Sequence, residues 1–286
     1  MSPNAVGAPP EGCSSASGPP KMSTQPRWRA RRDSSIVPGV ARLQSFRVLA
    51  PEILLVGIFI AAFSKYLANR PPPDPDWYAA YEQRFGPKES QFGEEWLIRD
   101  FFGDRRNGVF VDVGAADARK WSTTYRLETA LGWSGVAIEP QPQYAKGFAT
   151  LRPRTRLVQA FVSNAAGTTQ TLWVPSDYPG LATFDRRYLD SLGLKATPMT
   201  VPTVTLTQVL DDADVHRVDF VSMDIEQAEP QALRGFDIDR FKPALVCVEA
   251  HESTRQWLLN YFHDHGYVPV GRYLALDALN FYFAPR

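Results

Sequence analysis

Three acidic residues lie within six positions, Asp224, Glu226 and Glu229, directly after the segment 219–223, which we predict to be a buried strand. Carboxylates this close together repel one another, so the pKa of at least one is expected to be raised. Such a cluster suits a general base that removes a hydroxyl proton, or a hard-metal site built from oxygen ligands. Acids in the first turn of a helix are the alternative, which explains Glu229 better than Asp224.

A second predicted strand, 244–249, also ends in polar residues, and His251 follows it. The unperturbed pKa of histidine lies near neutrality, so His251 is a candidate base or substrate contact. A loop histidine without a chemical role is the alternative. Because the carboxyl ends of parallel strands meet at one edge of a sheet, we expect His251 to share that edge with the acids. The candidate catalytic residues are therefore Asp224, Glu226, Glu229 and His251.

A loop of small residues follows a third predicted strand, 109–113. Gly114 can adopt a positive φ and has no Cβ, so the backbone amides of this loop can approach a ligand closely. The spacing differs from the dinucleotide-binding pattern GxGxxG, because Ala116 and Arg119 stand where glycines would be, and the P-loop pattern GxxxxGK[ST] is missing. By itself, the loop is also consistent with a plain tight turn between a strand and a helix.

An acidic residue, Glu139, ends the next predicted strand, 135–138, about 25 residues after that loop. A carboxylate in this position can accept hydrogen bonds from both ribose hydroxyls of a nucleoside cofactor, as acids do in NAD sites. Pro140 has no N–H to donate to the sheet and therefore ends the strand. A solvated surface glutamate is the alternative.

Predicted strands and helices alternate along the chain from residue 108, which indicates a parallel sheet with helices on both faces. We predict a Rossmann-like, doubly wound, mostly parallel α/β sheet to which a C-terminal hairpin adds an antiparallel edge strand. Segment 176–200 is expected to be irregular. The predicted strands are 109–113, 135–138, 156–162, 170–174, 219–223, 244–249, 267–272 and 280–283. The predicted helices are 123–131, 141–151, 206–211, 230–234 and 254–265.

The first hundred residues have a different character. Residues 1–47 form a tail that begins rich in Pro, Gly, Ser and Ala and carries seven basic against two acidic residues, and we expect it to be disordered. Segment 48–68 includes an apolar run and is predicted to be a transmembrane or membrane-associated helix, which would make this a single-pass membrane protein. A helix packed on the domain is the alternative. The basic flank favours a cytoplasmic N terminus, which would place the catalytic domain on the far side of the membrane. That side does not suit an enzyme whose cofactor is made in the cytosol, so the side of the domain is left open. Segment 69–107 is predicted to be a linker and helical lead-in.

Bulk composition excludes several classes of protein. The 286 residues carry 31 basic and 31 acidic side chains, and a net charge of zero argues against a nucleic-acid partner. The two cysteines, Cys13 and Cys247, provide neither a disulfide framework nor the spacing of a zinc site. We assign no metal ligands from the sequence, and whether a divalent cation takes part is left open.

Five ordered segments together resemble the FkbM-type methyltransferases that use S-adenosylmethionine (SAM): 109–117, 131–140, 218–229, 233–237 and 243–249. The resemblance covers 108–286 and implies a class I methyltransferase fold, SAM as methyl donor and, most often, a hydroxyl oxygen as acceptor. It implies that Glu139 holds the ribose and that the acids at 224–229 line the reaction side. The candidate cofactor-binding residues are Asp112, Gly114, Ala115, Asp117 and Glu139.

Two positions depart from the pattern of that family, since Ala118 and Gln227 stand where it commonly has glycine. We expect O-methylation of a hydroxyl on a small molecule or on a glycan- or lipid-linked acceptor, with Asp224 or His251 as the base that takes the hydroxyl proton. The alternative is a membrane-anchored protein that keeps this fold without catalysis and binds a partner.

Overall fold

Ten strands form two sheets in the computed structural model, which describes residues 75–277 and 279–286. The strands are β1 (Val109–Val113), β2 (Ser134–Ile138), β3 (Thr155–Val158), β4 (Phe161–Val162), β5 (Thr169–Pro175), β6 (Ala196–Val204), β7 (Phe220–Met223), β8 (Leu245–Glu249), β9 (Tyr267–Pro269) and β10 (Asn280–Pro285). The larger sheet has the order β3-β2-β1-β7-β8-β10-β9, and the smaller has the order β4-β6-β5. In the larger sheet, β3, β2, β1, β7 and β8 are parallel, whereas β10 is antiparallel to both of its neighbours.

Helices link the parallel strands, as such crossovers require. Within the described residues the α-helices are α1 (Pro75–Phe85), α2 (Glu94–Phe102), α3 (Tyr125–Leu131), α4 (Ala145–Leu151), α5 (Arg186–Ser191), α6 (Leu206–Asp212), α7 (Glu229–Leu233), α8 (Ile238–Phe241) and α9 (Glu252–Asp264). Short 3₁₀ turns lie at Pro142–Tyr144, Pro179–Leu181 and Gly271–Tyr273. The mostly parallel, helix-covered sheet predicted from the sequence is thereby confirmed.

The larger sheet carries a hydrophobic core on each face, as expected for parallel strands covered on both sides. Successive residues of β1 face opposite sides. Phe110 packs in one cluster with Phe220, whereas Val111 and Val113 belong to the other. Asp112 lies between these two valines in the sequence, so its side chain faces the Phe110 side of the sheet.

The predicted strand 156–162 is wrong as one element. The structure divides it into β3, which pairs with β2 in the larger sheet, and β4, which pairs with β6 in the smaller sheet. The apolar residues continue across the break because both strands are partly or fully buried. Hydrophobicity alone therefore does not mark the point where the chain leaves one sheet for the other.

The expectation that 176–200 is irregular is also wrong. The segment contains α5 and the beginning of β6, a nine-residue strand that pairs with β5 over seven residues. Pro198 and Pro202 lie within β6 and donate no hydrogen bond, so the sequence reads as a break rather than a strand. Most of β6 is not fully buried, which also removes the apolar signal by which a strand is recognised.

The C-terminal hairpin is confirmed as antiparallel, but its arrangement differs from the prediction. The last strand, β10, inserts between β8 and β9, so that β9 forms the edge. The strand predicted at 267–272 ends at Pro269, and a 3₁₀ turn follows. The first four residues of β10, Asn280–Phe283, pair with β8 and are buried.

Two helices, α1 and α2, precede the sheet within the segment 69–107. Trp96, Leu97 and Ile98 of α2 are buried against the domain. The predicted tail 1–47 and the predicted helix 48–68 lie outside the described residues, as does the linker up to residue 74. Among residues 75–277 and 279–286, helices of the length and apolar character needed to cross a membrane are not found.

Candidate functional site

A cleft opens at the carboxyl ends of β1, β2 and β7, where a ligand is expected in an open α/β sheet. Its empty volume is about 510 Å³ when the space open to solvent is included. The cleft brings together four of the residues predicted from the sequence, which are Gly114, Glu139, Asp224 and Glu226. Its remaining lining comes mainly from Ile138–Gln141, from Ala160–Val162 and from the region of Leu172, Gly180 and Ala182.

Gly114 allows the loop after β1 to approach the end of β7. Its φ is +81°, in the left-handed region, and a Cβ placed there would lie 1.8 Å from the carbonyl oxygen of Asp224. The amides of Gly114 and Ala115 both donate to the carbonyl oxygen of Ile138, at 2.9 and 3.2 Å. Only glycine satisfies both the backbone angle and the close approach. The loop that follows β1, residues 114–118, contacts β2 on one side and the end of β7 on the other, and it is called the cofactor loop below.

Glu139 lies in the cleft wall at the end of β2 and is only 4% exposed. Its Oε2 accepts a hydrogen bond from the Ala116 amide at 3.0 Å, and its Oε1 accepts one from the Gln141 amide at 2.9 Å. Burial raises the pKa of Glu139, and these two hydrogen bonds oppose the increase. A carboxylate has about four acceptor positions, so both oxygens keep capacity for ribose hydroxyls.

Another part of the cleft wall is apolar and was not predicted from the sequence. Phe161 of β4 and Leu172 of β5 are buried in one cluster, and both line the cleft. Together with Val162, they offer an apolar surface for a flat aromatic ring such as adenine. These features fit the parts of SAM. Glu139 offers a carboxylate for the ribose, the apolar wall offers a surface for the adenine ring, and the loop at Gly114 lines the same cleft.

Three of the predicted cofactor-binding residues, Asp112, Ala115 and Asp117, do not line the cleft. The Asp112 carboxylate accepts a hydrogen bond from Thr124 Oγ1 at 2.6 Å on the other face of the sheet, near the buried Arg152. Burial raises its pKa, and these two neighbours oppose the increase. The Asp117 carboxylate accepts hydrogen bonds from the amides of Arg119 and Lys120, at 2.9 and 2.8 Å. Both acids thus have contacts that shape the loop.

The predicted catalytic residues meet at the edge of the cleft. Nε2 of His251 lies 2.8 Å from Oε2 of Glu249 and 3.5 Å from Oε2 of Glu226. The interaction of His251 with these two carboxylates, Glu226 first and Glu249 second, raises the pKa of the imidazole to about 10. Asp224 is exposed to the cleft although protein atoms surround it closely, and this confinement, together with the charges of Glu249 and Glu226, holds its pKa well above the ordinary value.

Glu229 differs from the other acids because it is fully buried. It is the first residue of α7, and its Oε1 accepts hydrogen bonds from the amides of Ile225 and Gln227 at 3.2 and 3.3 Å. Burial raises its pKa to about 7. These contacts are those of an acid that closes the turn before a helix, which was the alternative considered for Glu229 from the sequence.

Two members of this cluster were not among the predicted site residues. Glu249 contacts His251 and ends β8, so its place at the end of a predicted strand was a usable signal. Tyr188 packs edge-on against His251 with 5.6 Å between the ring centroids. Burial and the nearby Glu226 raise the pKa of Tyr188 to about 12. Tyr188 belongs to α5, in the segment 176–200 that was expected to be irregular and to be either a cap on the site or an ordinary insertion.

A family described as "Methyltransferase FkbM domain" matches residues 112–269, which is more than half of the 286-residue chain. The chain belongs to the FkbM methyltransferase family. Its methyl donor is accordingly SAM, and the chain is a SAM-dependent methyltransferase. Among curated proteins, none matches the chain.

Solved structures with a similar chain path are also methyltransferases. One is a TehB-like SAM-dependent methyltransferase from Corynebacterium glutamicum, with 13% identity, a TM-score of 0.39 and coverage of 74% of this chain and 100% of that one. Another is an O-methyltransferase from Bacillus cereus in complex with SAH, with 13% identity, a TM-score of 0.35 and coverage of 80% and 98%.

The turn after β7 is strained where FkbM methyltransferases commonly have a glycine. Glu226 and Gln227 have φ values of +52° and +76°, in the left-handed region that disfavours residues with a side chain. Thr183, which is fully buried, donates a hydrogen bond from Oγ1 to the carbonyl oxygen of Glu226 at 2.9 Å. Thr183 in turn exchanges two backbone hydrogen bonds with Trp173 of β5. The smaller sheet thus holds the strained turn that presents Glu226.

Restoring the family glycine at this turn is expected to stabilise the protein. Gln227→Gly should raise the free energy of unfolding by about 1 kcal/mol, because glycine adopts φ near +76° without the steric cost of a side chain. The change removes one exposed hydrogen bond, from Ser253 Oγ to Gln227 Oε1, which offsets part of the gain. Urea denaturation measures the difference, with Gln227→Ala as the matched control that loses the same hydrogen bond and keeps the strain. Equal stability of the two variants would contradict the assignment of strain.

Proposed function

We propose that this FkbM methyltransferase transfers the methyl group of SAM to a hydroxyl oxygen and that Asp224 takes the hydroxyl proton. The observation that carries the proposal is the position of Asp224, which is open to the cleft and in contact with a carboxyl cluster that raises its pKa. A carboxylate with a raised pKa is a stronger base than an ordinary one. An acceptor hydroxyl is the group whose methylation most needs such a base.

Asp224 suits the role of base better than His251, the other candidate. With a pKa of about 10, His251 carries its proton near neutral pH and has no free lone pair with which to accept another. The contacts of His251 are instead with Glu226 and Glu249, so it orders the carboxylates beside Asp224. Asp224 is the acid of this cluster that is exposed to the cleft.

The residues of the cleft divide the remaining work between them. SAM, when bound, supplies a methyl group whose bond to sulfur breaks with its electron pair left on sulfur, while the acceptor oxygen forms the new bond. Glu139 holds the ribose through its carboxylate, and Phe161 and Leu172 cover the adenine ring of SAM. Holding donor and acceptor in line lowers the barrier, since proximity and orientation can supply a large part of catalysis. The acceptor is proposed to be a small molecule or a glycan- or lipid-linked alcohol.

Methyl transfer to a panel of acceptors tests this proposal. The full-length protein is incubated with SAM that carries a labelled methyl group and with matched alcohols, amines, thiols and carboxylic acids. Label is expected in alcohols, and the rate is expected to rise with pH as Asp224 ionises, over a range above that of an ordinary aspartate because its pKa is raised. Label found only in amines or thiols would contradict O-methylation.

Removing the proposed base gives the matching variant test. Asp224→Asn keeps the size of the side chain and should lower kcat by about a hundredfold to ten-thousandfold, the usual contribution of a general base. Its affinity for SAM should change little, because Glu139 holds the ribose. Asp190→Asn, the same change at an exposed position of α5, is the control. A kcat for Asp224→Asn equal to that of the control would assign the base elsewhere.

A further inference from the structure

Glu226, Glu249 and His251 converge beside the cleft, and we infer that they form a site for a divalent transition-metal cation such as Mn²⁺ or Zn²⁺. The inference deepens the proposed function and rests on it for its purpose, since the cation would face the acceptor hydroxyl. Each residue directs one ligand atom inward, and the three atoms lie within 4.8 Å of one another. They come from the turn after β7, from the end of β8 and from the residue that precedes α9.

The distances between the ligand atoms suit one shared cation. Nε2 of His251 lies 2.8 Å from Oε2 of Glu249 and 3.5 Å from Oε2 of Glu226. A cation bound at about 2.0–2.2 Å to nitrogen and oxygen ligands holds those ligands roughly 3 to 3.5 Å apart. Oε2 of Glu226 and Oε2 of Glu249, which lie nearest to His251, would therefore be the ligand atoms after small movements of the side chains.

One ligand atom has no other partner. Oε2 of Glu226 is completely buried, and among residues 75–277 and 279–286 it forms no hydrogen bond; its contact with Nε2 of His251, at 3.5 Å, is an ion pair. The side chain as a whole is only 8% exposed, and one of its carboxylate oxygens lies within 4.8 Å of ligand atoms of both Glu249 and His251. A buried carboxylate oxygen without a partner costs free energy, and a cation at this point would satisfy it.

The charges around the site also favour a cation. Asp224, Glu226 and Glu249 are close enough to influence one another, and within the described part of the chain neither lysine nor arginine forms an ion pair with them. His251 is the basic side chain in contact with this group. A divalent cation would balance the carboxylates more fully than a single proton on the imidazole does.

The types of ligand indicate the class of cation. Two carboxylates and one imidazole suit transition metals such as Mn²⁺, Fe²⁺ or Zn²⁺, whereas Mg²⁺ and Ca²⁺ prefer oxygen ligands alone. Three protein ligands leave coordination positions free for another oxygen. Because Glu226 and the neighbouring Asp224 line the cleft, a free position can receive the acceptor oxygen, whose proton then passes to Asp224. A bound cation lowers the pKa of such a hydroxyl.

Direct binding of Mn²⁺ to the full-length protein tests the inference. The protein is stripped with a chelator and titrated with Mn²⁺, and free Mn²⁺ is followed by electron paramagnetic resonance. We expect one Mn²⁺ per chain, displaced by Zn²⁺ and only weakly by Mg²⁺. Glu226→Gln and His251→Gln should each lower the affinity for Mn²⁺ by at least about tenfold. Changes to residues that only hydrogen-bond to metal ligands already cost about this much, and changes to the ligands should cost no less. Glu252→Gln changes an exposed acid next to His251 and should leave binding unchanged.

The result that overturns the inference is an absence of bound Mn²⁺ and Zn²⁺, or binding that neither ligand variant weakens. Thermal unfolding checks that each variant is folded, and Glu249→Gln replaces Glu226→Gln if the latter is not. Assays of alcohol methylation, run beside the Mn²⁺ titration, separate this inference from the proposed function. Methylation of alcohols by the stripped protein would contradict the role of the cation in the reaction and leave O-methylation standing. Bound Mn²⁺ without any methylation of alcohols would overturn O-methylation and leave the cation site standing.

Discussion

Replacing Glu139 by alanine is expected to weaken the binding of SAM by about a hundredfold or more. Each hydrogen bond from a ribose hydroxyl to this carboxylate contributes about 1.5–3 kcal/mol, and about 1.4 kcal/mol corresponds to a tenfold change in Kd. The variant also frees the amides of Ala116 and Gln141, which Glu139 now holds, so the cofactor loop loses part of its order. Calorimetric titration of the full-length protein with SAM measures the change.

Asp117→Ala is the informative control for that experiment. Asp117 was predicted as a cofactor-binding acid on the same footing as Glu139, but its carboxylate bonds to the amides of Arg119 and Lys120 and does not line the cleft. We therefore expect Asp117→Ala to weaken SAM binding far less than Glu139→Ala. If the two variants lose equal affinity, or if Glu139→Ala loses none, the cleft described here does not hold the ribose.

The edge of the sheet that carries the site could be predicted because it follows from topology. Parallel strands end at one edge, so polar residues after predicted strands had to meet there. Gly114, Glu139 and Asp224 each follow a strand whose apolar run was recognisable, and all three line one cleft. Their agreement needed no knowledge of side-chain contacts, only of the order of strands and helices.

The remaining parts of the site depend on contacts that the sequence does not show. Asp112 lies one residue before Val113, yet the alternation of a strand places it on the opposite face, where it contacts Thr124. The apolar wall at Phe161 and Leu172 belongs to a second sheet. The strand that joins this sheet together, β6, contains prolines, so its sequence does not resemble that of a strand. Tyr188 reaches His251 only because that sheet carries α5 to the cleft.

The buried ion pair behind the cofactor loop is expected to matter more for stability than any surface pair. Arg152 Nε lies 2.7 Å from Glu128 Oε2, and the two side chains are 0% and 3% exposed. Arg152→Met leaves a buried carboxylate without its cation, which should cost about 3–5 kcal/mol. Arg240→Met at an exposed pair, 2.6 Å from Asp211 and 45% exposed on both sides, should cost less than about 1 kcal/mol. Urea denaturation compares the two variants at constant m-value.

A double variant distinguishes the ion pair from mere packing. Glu128→Leu combined with Arg152→Met removes both charges together, so the double variant should be more stable than Arg152→Met alone. If its loss of stability equals the sum of the losses in Glu128→Leu and Arg152→Met measured separately, the two charges do not interact.

Arg152 also donates to the Ala118 carbonyl and to Thr124, whose hydroxyl binds Asp112. Loss of SAM affinity in Arg152→Met would therefore show that this network supports SAM binding from the face of the sheet opposite the cleft.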